Sequence, residues 1–329
     1  MKDLLKIRQL PLIKTTVFDY SVLFATLYVG GFTDSPILKI LLGLIVARQF
    51  CAFGILFHEG AHNNISRNRK INDKVADWVY GAPLFFSIEA YRPLHARHHS
   101  HLLSDKDPDV RNYNDYPMTL KKFFTKKIAK DLSGVNYLKV ITYFNFPKDK
   151  SKLFFKKMYL RKMPALRGCA WILGLLYWFA SRGQPMDILY LWLLPMFCFV
   201  PAMIRVRIAI EHGGLSDKHE EHGAQGGTRS TVSFLAKVLI CPNNIGYHIE
   251  HHLHPAVPYY NLPELNRRLQ SSPEGSPVNI HYTLSTIFRE LFVEAPAKEK
   301  NNSETHREPL RLILGSDHHE LQEELSNAI

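Results

Sequence analysis

The chain has 329 residues, of which 46% are hydrophobic and 12% aromatic, and its net charge is +11. This composition excludes a disordered chain, a collagen-like repeat and a small disulfide-stabilised protein, since there are only four cysteines and no CxxC pair. The mean hydropathy is slightly negative, which excludes a bundle of about ten membrane spans but leaves room for a few.

Four apolar segments stand out along the chain, at residues 17–31, 37–57, 168–180 and 188–204. A helix needs about 20 residues to cross the hydrocarbon core of a membrane, so the second and fourth segments are long enough. The first and third segments are shorter and need their flanking residues or a tilted path. We therefore predict an all-α membrane protein with about four transmembrane helices.

The positive charges lie on one side of the predicted spans. Residues 33–36 join the first two segments without any Lys or Arg, and residues 181–187 join the last two with Arg182 alone. All other connections are basic, so the positive-inside rule places both termini and the long middle region on the cytosolic side of a multi-pass membrane protein. Residues 121–167 contain 14 Lys and Arg, which fits anionic lipid headgroups better than nucleic acid.

We assign residues 1–295 to one membrane domain and residues 296–329 to a polar C-terminal tail. Inside the domain, the apolar stretch 75–88 contains Gly81 and Pro83 and is too short to span a membrane. We expect this stretch at the membrane interface, beside a substrate channel. The sequence has no internal repeat and no dinucleotide-binding glycine loop.

Eight of the 17 histidines fall into three groups with helical spacing. Residues three and four positions apart share one face of a helix, so the rings within each group point together. The groups are His58 and His62, then His95, His98 and His99, and finally His248, His251 and His252. His101 and His254 lie outside this spacing, and a surface or helix-cap role explains them as readily as a ligand role.

This number of histidines is enough for two metal ions with open coordination positions. Neutral imidazole is a good ligand for iron, zinc and copper, and one ion takes about three or four protein ligands. Scattered surface histidines would not produce two HxxHH strings and one HxxxH string beside membrane spans. We therefore predict that the spans form a bundle and that a cytosolic helical cap brings the three groups together.

The third histidine group carries the most specific string of residues. It reads NIGYHIEHHLHP from residue 244 and continues as VPYYNLP from residue 257. The first group is followed by Asn63, and the second by a run that ends at Asp109. Over about residues 50–269, these strings resemble the integral-membrane fatty acid desaturase and hydroxylase superfamily.

The resemblance implies a di-iron centre, with two iron ions held by histidines, O2 as co-substrate and no catalytic residue beyond the metal centre. It also implies a ninth histidine ligand near the end of the fourth apolar segment, where His212 stands; alternatively, His212 caps the helix end or pairs with Glu211. The first box reads His-Glu where many family members have His-Asp, and we interpret Glu59 as a partner that orients an imidazole. His219 and His222 are unassigned.

The resemblance further implies an O2-dependent membrane desaturase that introduces a double bond into a fatty acyl, lipid-like chain. Removing hydrogen from an unactivated alkyl chain needs a cofactor. O2 takes four electrons on its way to two waters, of which the substrate supplies two and an external donor the other two. The chain ends leave no room for a fused cytochrome b5 domain, so we expect a separate ferredoxin- or cytochrome b5-like donor with its reductase.

Three other functions stay open. The same histidine groups serve hydroxylases and ketolases that act on alkyl or carotenoid substrates. The string HEGAH from residue 58 also matches the HExxH pattern of zinc proteases, in which Glu59 would be the general base. A metal transporter is the third, although a transporter would place histidines or carboxylates inside its spans rather than beside them.

Overall fold

The structure is a computed structural model that describes residues 1–145, 154–271, 279–281 and 283–294, with side chains for all of these except 145 and 154–163. Its regular structure is almost entirely helical, which confirms the predicted fold class. The α-helices are α1 (Gln9–Gly30), α2 (Pro36–Ala61), α3 (Arg69–Val75), α4 (Ile88–Ser100), α5 (Leu120–Lys122), α6 (Ala129–Leu132), α7 (Val135–Asn145), α8 (Phe154–Ser181), α9 (Val200–His212), α10 (Ser216–His222), α11 (Phe234–Leu239), α12 (His248–Leu253), α13 (Leu262–Gln270) and α14 (Leu284–Leu291).

Shorter elements connect these helices. The π-helical turns are Ala76–Gly81, Phe123–Ile128, Leu189–Leu193 and Pro195–Phe199. The 3₁₀ turns are Ala82–Leu84, Val110–Asn112, Gly223–Gln225 and Tyr259–Asn261. Two short strands, β1 (Ser230–Thr231) and β2 (Ile280–His281), pair in parallel.

Three helices in the described ranges are long and apolar enough to cross a membrane: α1, α2 and the helical segment Leu189–His212, which ends as α9. Pro195 has no N–H to donate to the preceding turn, which accounts for the widened turns before α9. The remaining predicted segment, 168–180, is helical within the 28-residue α8. Because Arg167 and several aromatic residues lower the hydropathy of α8, the count of four spans stays a prediction.

The apolar stretch 75–88 folds into consecutive π and 3₁₀ turns between α3 and α4. Tyr80 and Leu84 are each 1% exposed, whereas Trp78 is 55% exposed. One side of the stretch therefore packs into the core, and its position at a membrane interface stays a prediction. The predicted polar tail, 296–329, lies outside the described residues.

A buried polar network joins the first two spans to the segment that precedes α12. Asp19 of α1 is 1% exposed, and its backbone carbonyl accepts a hydrogen bond from Gln49 Nε2 of α2 at 2.8 Å. Its carboxylate accepts another from Asn243 Nδ2 at 3.2 Å. Because a buried carboxylate without partners is costly, this network fixes α1, α2 and the chain leading into the third histidine group relative to one another.

Arg229 holds the C-terminal end of α9 in place. Its side chain is fully buried, and Nη1 donates to the Gly213 carbonyl at 2.7 Å and to the Ile210 carbonyl at 3.3 Å. Its Nε and Nη2 both donate to Glu290 Oε2, at 3.0 and 2.8 Å. The last carbonyls of a helix have no partners within the helix, so Arg229 satisfies groups that would otherwise be buried and unpaired next to His212.

We predict that Arg229→Met lowers the free energy of unfolding by about 3 kcal/mol, because it leaves buried carbonyls and a carboxylate without their partner. Thermal unfolding of the detergent-solubilised protein checks this. Arg289→Met is the matched control, since Arg289 is exposed and adjacent to Glu290 in sequence. Equal melting temperatures for the two variants would contradict this account of the end of α9.

Candidate metal centre

The structure brings all nine predicted histidines into two adjoining groups, each with ring nitrogens within 4.8 Å of one another. Site 1 contains His58, His62, His95, His99 and His251. Site 2 contains His98, His212, His248 and His252. The rings come from the C-terminal ends of α2 and α9 and from the short helices α4 and α12, so four separate parts of the chain build the centre.

Helical spacing decides which ring enters which site. Residues four positions apart lie almost above one another on a helix, whereas the residue before the second of them is rotated by about 100°. Accordingly, His95 and His99 of α4 both enter site 1, and His98 enters site 2. In α12 the assignment is reversed. His248 and His252, which are four positions apart, enter site 2, and His251 enters site 1.

The Nε2 atoms of site 1 converge more closely than hydrogen bonding explains. His95 Nε2 lies 2.8 Å from His62 Nε2 and 3.0 Å from His99 Nε2. His99 Nε2 lies a further 3.1 Å from His251 Nε2. An uncharged imidazole nitrogen has either one N–H or one lone pair in the ring plane, so it cannot make two good hydrogen bonds at once.

A shared metal ion accounts for these distances. Imidazole nitrogens bind metal ions at about 2.1 Å, so two nitrogens whose bonds meet at right angles lie about 3 Å apart. Site 2 has the same spacing, with 2.9 Å between His212 Nε2 and His248 Nε2. In addition, both ring nitrogens of His252 are buried without a hydrogen-bond partner in the described part of the chain. The donor set and its geometry therefore fit two metal ions.

Burial keeps most of these rings neutral. It lowers the pKa of His62 to about 4 and that of His99 to about 3, and it lowers the pKa of His251 well below the usual value. Such rings are uncharged at physiological pH and offer a lone pair to a metal ion. The site can thus bind a cation without first losing several protons.

His98 is oriented by a carboxylate behind it. Its Nδ1 lies 3.1 Å from both carboxylate oxygens of Asp107, which also accepts hydrogen bonds from the Tyr113 hydroxyl and from the Asp109 backbone N–H. Burial is the largest single influence and lowers the pKa of His98, but the hydrogen bond to Asp107 and the negative charges of Asp109, Asp107 and Glu211 together outweigh it, so the pKa is raised. A carboxylate in this position fixes the tautomer and makes the ring a more basic ligand through Nε2.

A backbone carbonyl orients a second ring of site 2. His212 Nδ1 donates to the Gly227 carbonyl at 3.1 Å, which points Nε2 toward His248. Glu211 Oε1 lies 3.7 Å from His248 Nδ1, which is too long for a hydrogen bond. The ring of His212 therefore belongs to site 2, and a role as a helix cap or as a partner of Glu211 is not needed to explain it.

Four histidines whose role the sequence leaves open stand apart from both sites. His101 follows the end of α4 and contacts Ser100 Oγ through Nδ1 at 2.8 Å, and His254 follows the end of α12. His219 Nδ1 donates to the Gly223 carbonyl at 2.8 Å, and His222 is an exposed residue at the end of α10. None of these four joins the metal-ligand groups found among the described residues.

Glu59 does not orient an imidazole, so that interpretation of the sequence is wrong. The residue is 1% exposed, and its Oε2 accepts the backbone N–H of Tyr259 at 3.0 Å. Glu59 thus ties α2 to the segment that follows the third histidine group. A zinc protease would need this carboxylate facing a metal-bound water, so the contact with Tyr259 also argues against the protease reading.

Several residues that support the site have only a weak sequence signal. Asp107 lies in the acidic run after the second histidine group, and its position nine residues beyond His98 could have suggested a partner. The roles of Tyr113, of the Gly227 carbonyl and of Arg229 depend on contacts between distant parts of the chain. The spacing of residues within one segment does not predict such contacts.

We predict that Asp107→Asn weakens metal binding at site 2 by about 10- to 100-fold, because the amide is a poorer acceptor for the His98 N–H and leaves the ring less basic. Metal retained per chain after dialysis against a graded chelator series measures the effect. Asp105→Asn, at an exposed position two residues away, is the control. Identical retention curves for both variants would count against the orienting role of Asp107.

Comparison with known proteins agrees with the site geometry. The profile described as fatty acid desaturase matches residues 35–283. A probable fatty acid desaturase of Sorghum bicolor is 24% identical, over 67% of this chain and 60% of its own. A temperature-sensitive sn-2 acyl-lipid omega-3 desaturase (ferredoxin), chloroplastic, of Arabidopsis thaliana is 22% identical, over 82% of this chain and 67% of its own.

A bacterial protein is similar to the same degree. The dihydrorhizobitoxine desaturase of Bradyrhizobium elkanii is 24% identical, over 73% of this chain and 68% of its own. The chain spans about 60% of the length of the sorghum relative. Because the family profile covers most of the chain, the chain belongs to the fatty acid desaturase family.

Proposed function

We propose that this chain is an O2-dependent di-iron desaturase that introduces a double bond into a fatty acyl, lipid-like chain. The observation that carries the proposal is the pair of adjoining, buried, all-histidine sites next to candidate membrane spans. Family membership supports an oxidoreductase of the desaturase type. The substrate, the iron ions and the use of O2 are our inference from the chemistry of this site.

The five rings of site 1 would hold one iron ion and the four rings of site 2 the other. Imidazole is a suitable ligand for iron, and the number of rings leaves coordination positions for other ligands. When bound, such a pair of ions supplies the O2 chemistry that breaks the C–H bonds of an unactivated alkyl chain, which no side chain can do.

The protein itself contributes neutrality, orientation and shielding from water. Burial keeps most of the rings uncharged, and Asp107 and the Gly227 carbonyl fix which nitrogens of His98 and His212 face site 2. His251 and Glu250 are fully buried, so water has little access around α12. A dry site protects a reactive centre from side reactions.

An aromatic wall beside site 1 supports an alkyl-chain substrate. The Tyr91 ring stacks on His95 with centroids 5.2 Å apart and planes at 11°. Phe57 lies 5.4 Å from Tyr91 and 5.5 Å from Phe86, measured between centroids. These rings give an apolar surface that leads away from the histidines, as a hydrocarbon chain requires.

The names of the relatives support substrates of more than one kind. The Arabidopsis relative is named for an acyl lipid and the Bradyrhizobium relative for dihydrorhizobitoxine. We infer that the present chain acts on an acyl-chain substrate at the membrane, with the site and both termini on the cytosolic side. The turn 33–36 contains no Lys or Arg, which supports this orientation.

A separate protein would supply two electrons. The Arabidopsis relative is named for ferredoxin, and we infer a ferredoxin- or cytochrome b5-like donor, with its reductase, for this chain. Lys121, Lys126 and Lys130 are exposed, and Lys127 lies 2.9 Å from Asp115. An excess of positive charge of this kind attracts an acidic donor and speeds encounter.

We predict that replacing Lys121, Lys126 and Lys130 by Gln slows reduction of the protein by an acidic donor by about tenfold at low salt, because the steering attraction is lost. Stopped-flow reduction measures the rate. The difference should vanish at high ionic strength, which screens the attraction and serves as the internal control. An unchanged rate at low salt would reject this docking surface.

Expression in a host of known lipid composition tests the proposed function directly. We predict new lipid species that are two mass units lighter than their precursors, formed only in the presence of O2. His251→Ala should abolish them because it removes a ligand that faces site 1, whereas His222→Ala at an exposed position should not.

Mass spectrometry also separates the alternatives. Products sixteen mass units heavier would indicate a hydroxylase on the same scaffold and contradict desaturation. Product formation that survives in His251→Ala would contradict the role of that histidine. Membrane insertion of each variant is checked by extraction of the membrane fraction, so that loss of product reflects chemistry rather than loss of protein.

A further inference from the structure

A groove of about 460 Å³ lies outside the metal centre, between the first turns of α1 and the chain from α3 onward. On the α1 side it is lined by Leu12, Ile13 and Val17, and on the other side mainly by Ile71 and Val75. None of the nine histidines of the metal centre lines it. Small-molecule sites usually have volumes of about 300–1,000 Å³, so the groove is large enough to hold a ligand of its own.

Hydrogen bonds hold the two walls of the groove together. Gln9 Nε2 of α1 donates to the Ile65 carbonyl at 3.2 Å. Deeper in the groove, the hydroxyl oxygens of Thr16 and Tyr80 share a hydrogen bond of 2.7 Å. These four residues come from both walls, so the groove is built into the fold.

The open side of the groove is apolar. Ile13, Val17 and Ile71 are 54%, 60% and 53% exposed, whereas Leu12 at the base is 5% exposed. A contiguous group of large exposed apolar side chains marks an interaction site. Since α1 is a candidate membrane span, we expect this side of the groove to lie against lipid acyl chains.

The position of the groove along α1 sets its depth in a membrane. α1 has 22 residues, and at 1.5 Å per residue it is about 33 Å long, close to the thickness of about 30 Å of a hydrocarbon core. Its first turn, which begins at Gln9, therefore lies near the headgroups, and Val17 lies about 12 Å deeper. The groove thus runs from the headgroup level into the acyl region, which is the path of a lipid molecule.

Cations border the groove on its outer side. Lys70 and Lys74 of α3 are exposed, and each directly precedes a lining residue, Ile71 or Val75. On the other side of these lining residues, Asn72 points into the core with 0% exposure. The two lysines therefore stand at the outer edge of the groove, one turn apart on the same face of α3.

Two further cations complete a basic rim, which consists of Lys14, Arg67, Lys70 and Lys74. Lys14 of α1 is exposed beside Ile13. Arg67 follows the lining residue Ser66, and its Nη2 donates to the Leu5 carbonyl just before α1. Both walls of the groove thus carry positive charge.

The acidic side chains in the segments that build the groove have cationic partners outside the basic rim. The pairs are Asp3 with Arg268, Asp19 with Arg48, Asp73 with Arg92 and Asp77 with Arg167. The basic rim therefore keeps a net positive charge that attracts an anion.

We propose that this groove binds one anionic phospholipid, with an acyl chain in the groove and the phosphate on the basic rim. Phosphate oxygens accept charge-assisted hydrogen bonds from Lys and Arg, and clusters of these cations at a membrane surface select anionic lipids. A zwitterionic lipid brings its own cation and gains less. The site does not depend on the proposed reaction, because the lipid is a resident ligand that no histidine of the metal centre contacts.

A lipid in this groove would stabilise the approach to the metal centre. It would contact both α1 and α3, and α3 leads through the π-helical turn Ala76–Gly81 to α4, which carries three of the histidines. A ligand that binds only the folded chain raises its stability. We therefore expect an anionic phospholipid to raise the melting temperature of the protein more than a zwitterionic one.

Native mass spectrometry of the detergent-solubilised protein tests the proposal with phosphatidylglycerol and phosphatidylcholine that have the same acyl chains. We expect one phosphatidylglycerol to bind about tenfold more tightly, because several cations border the groove. Replacing Lys70 and Lys74 by Gln should bring the two affinities to within about threefold. Replacing Lys106 and Lys139 by Gln removes equal charge at exposed positions elsewhere and should preserve the difference.

A second pair of variants locates the bound lipid. Val17→Trp should fill the groove and weaken the binding of both lipids, whereas Val29→Trp, at a similarly exposed position near the other end of α1, should not. Phosphatidylglycerol with a photoreactive acyl chain should crosslink to Ile13, Val17 or Ile71. Thermal unfolding establishes that each variant is folded.

Equal affinities of the unaltered protein for the two lipids would overturn the proposal. A preference that survives in the folded Lys70 and Lys74 variant, or that falls equally in the Lys106 and Lys139 variant, would do the same. Crosslinks spread evenly over the apolar surface would also contradict it, since they would mean that bulk membrane lipid covers the groove without selection.

Discussion

Nine imidazole rings packed together, seven of them buried and two half-buried, are the constraint on which the rest of this fold depends. Neutral imidazoles with nitrogens about 3 Å apart cannot satisfy one another by hydrogen bonding, and several ring nitrogens here have no partner among the described residues. Unpaired buried polar groups are unfavourable. A cation bound at each site would turn this unfavourable arrangement into a favourable one, and it would contribute to the stability of the centre as well as to its chemistry.

The long helices position these histidines at one end of the bundle. α2 ends just after His58, and α9 ends at His212, so two candidate spans bring histidines to the same end of the bundle. α4 and α12 close over that end and add the remaining rings.

The histidines could be predicted from the sequence because their spacing is local. Positions three and four apart share a helix face whatever the rest of the fold does, and the strings around His251 are specific enough to indicate the family. The spacing groups His95 with His99 and separates His98 from them, but that the rings enter two different sites depends on how α4 is placed against the other helices. The partners Asp107 and Arg229 depend on tertiary contacts, which periodicity does not encode. Glu59 shows the same limit, since it follows a ligand in sequence but binds the backbone of Tyr259.

The central claim is that these rings hold two iron ions, and the most direct measurement is metal analysis combined with iron-edge X-ray absorption on the purified chain. The account predicts two iron ions per chain with ligands that are mainly imidazole nitrogen. Soluble di-iron proteins hold their metals mainly through carboxylates, so the two ligand sets are distinguishable. A chain that carries zinc, a single ion or iron bound mainly by oxygen would contradict the account.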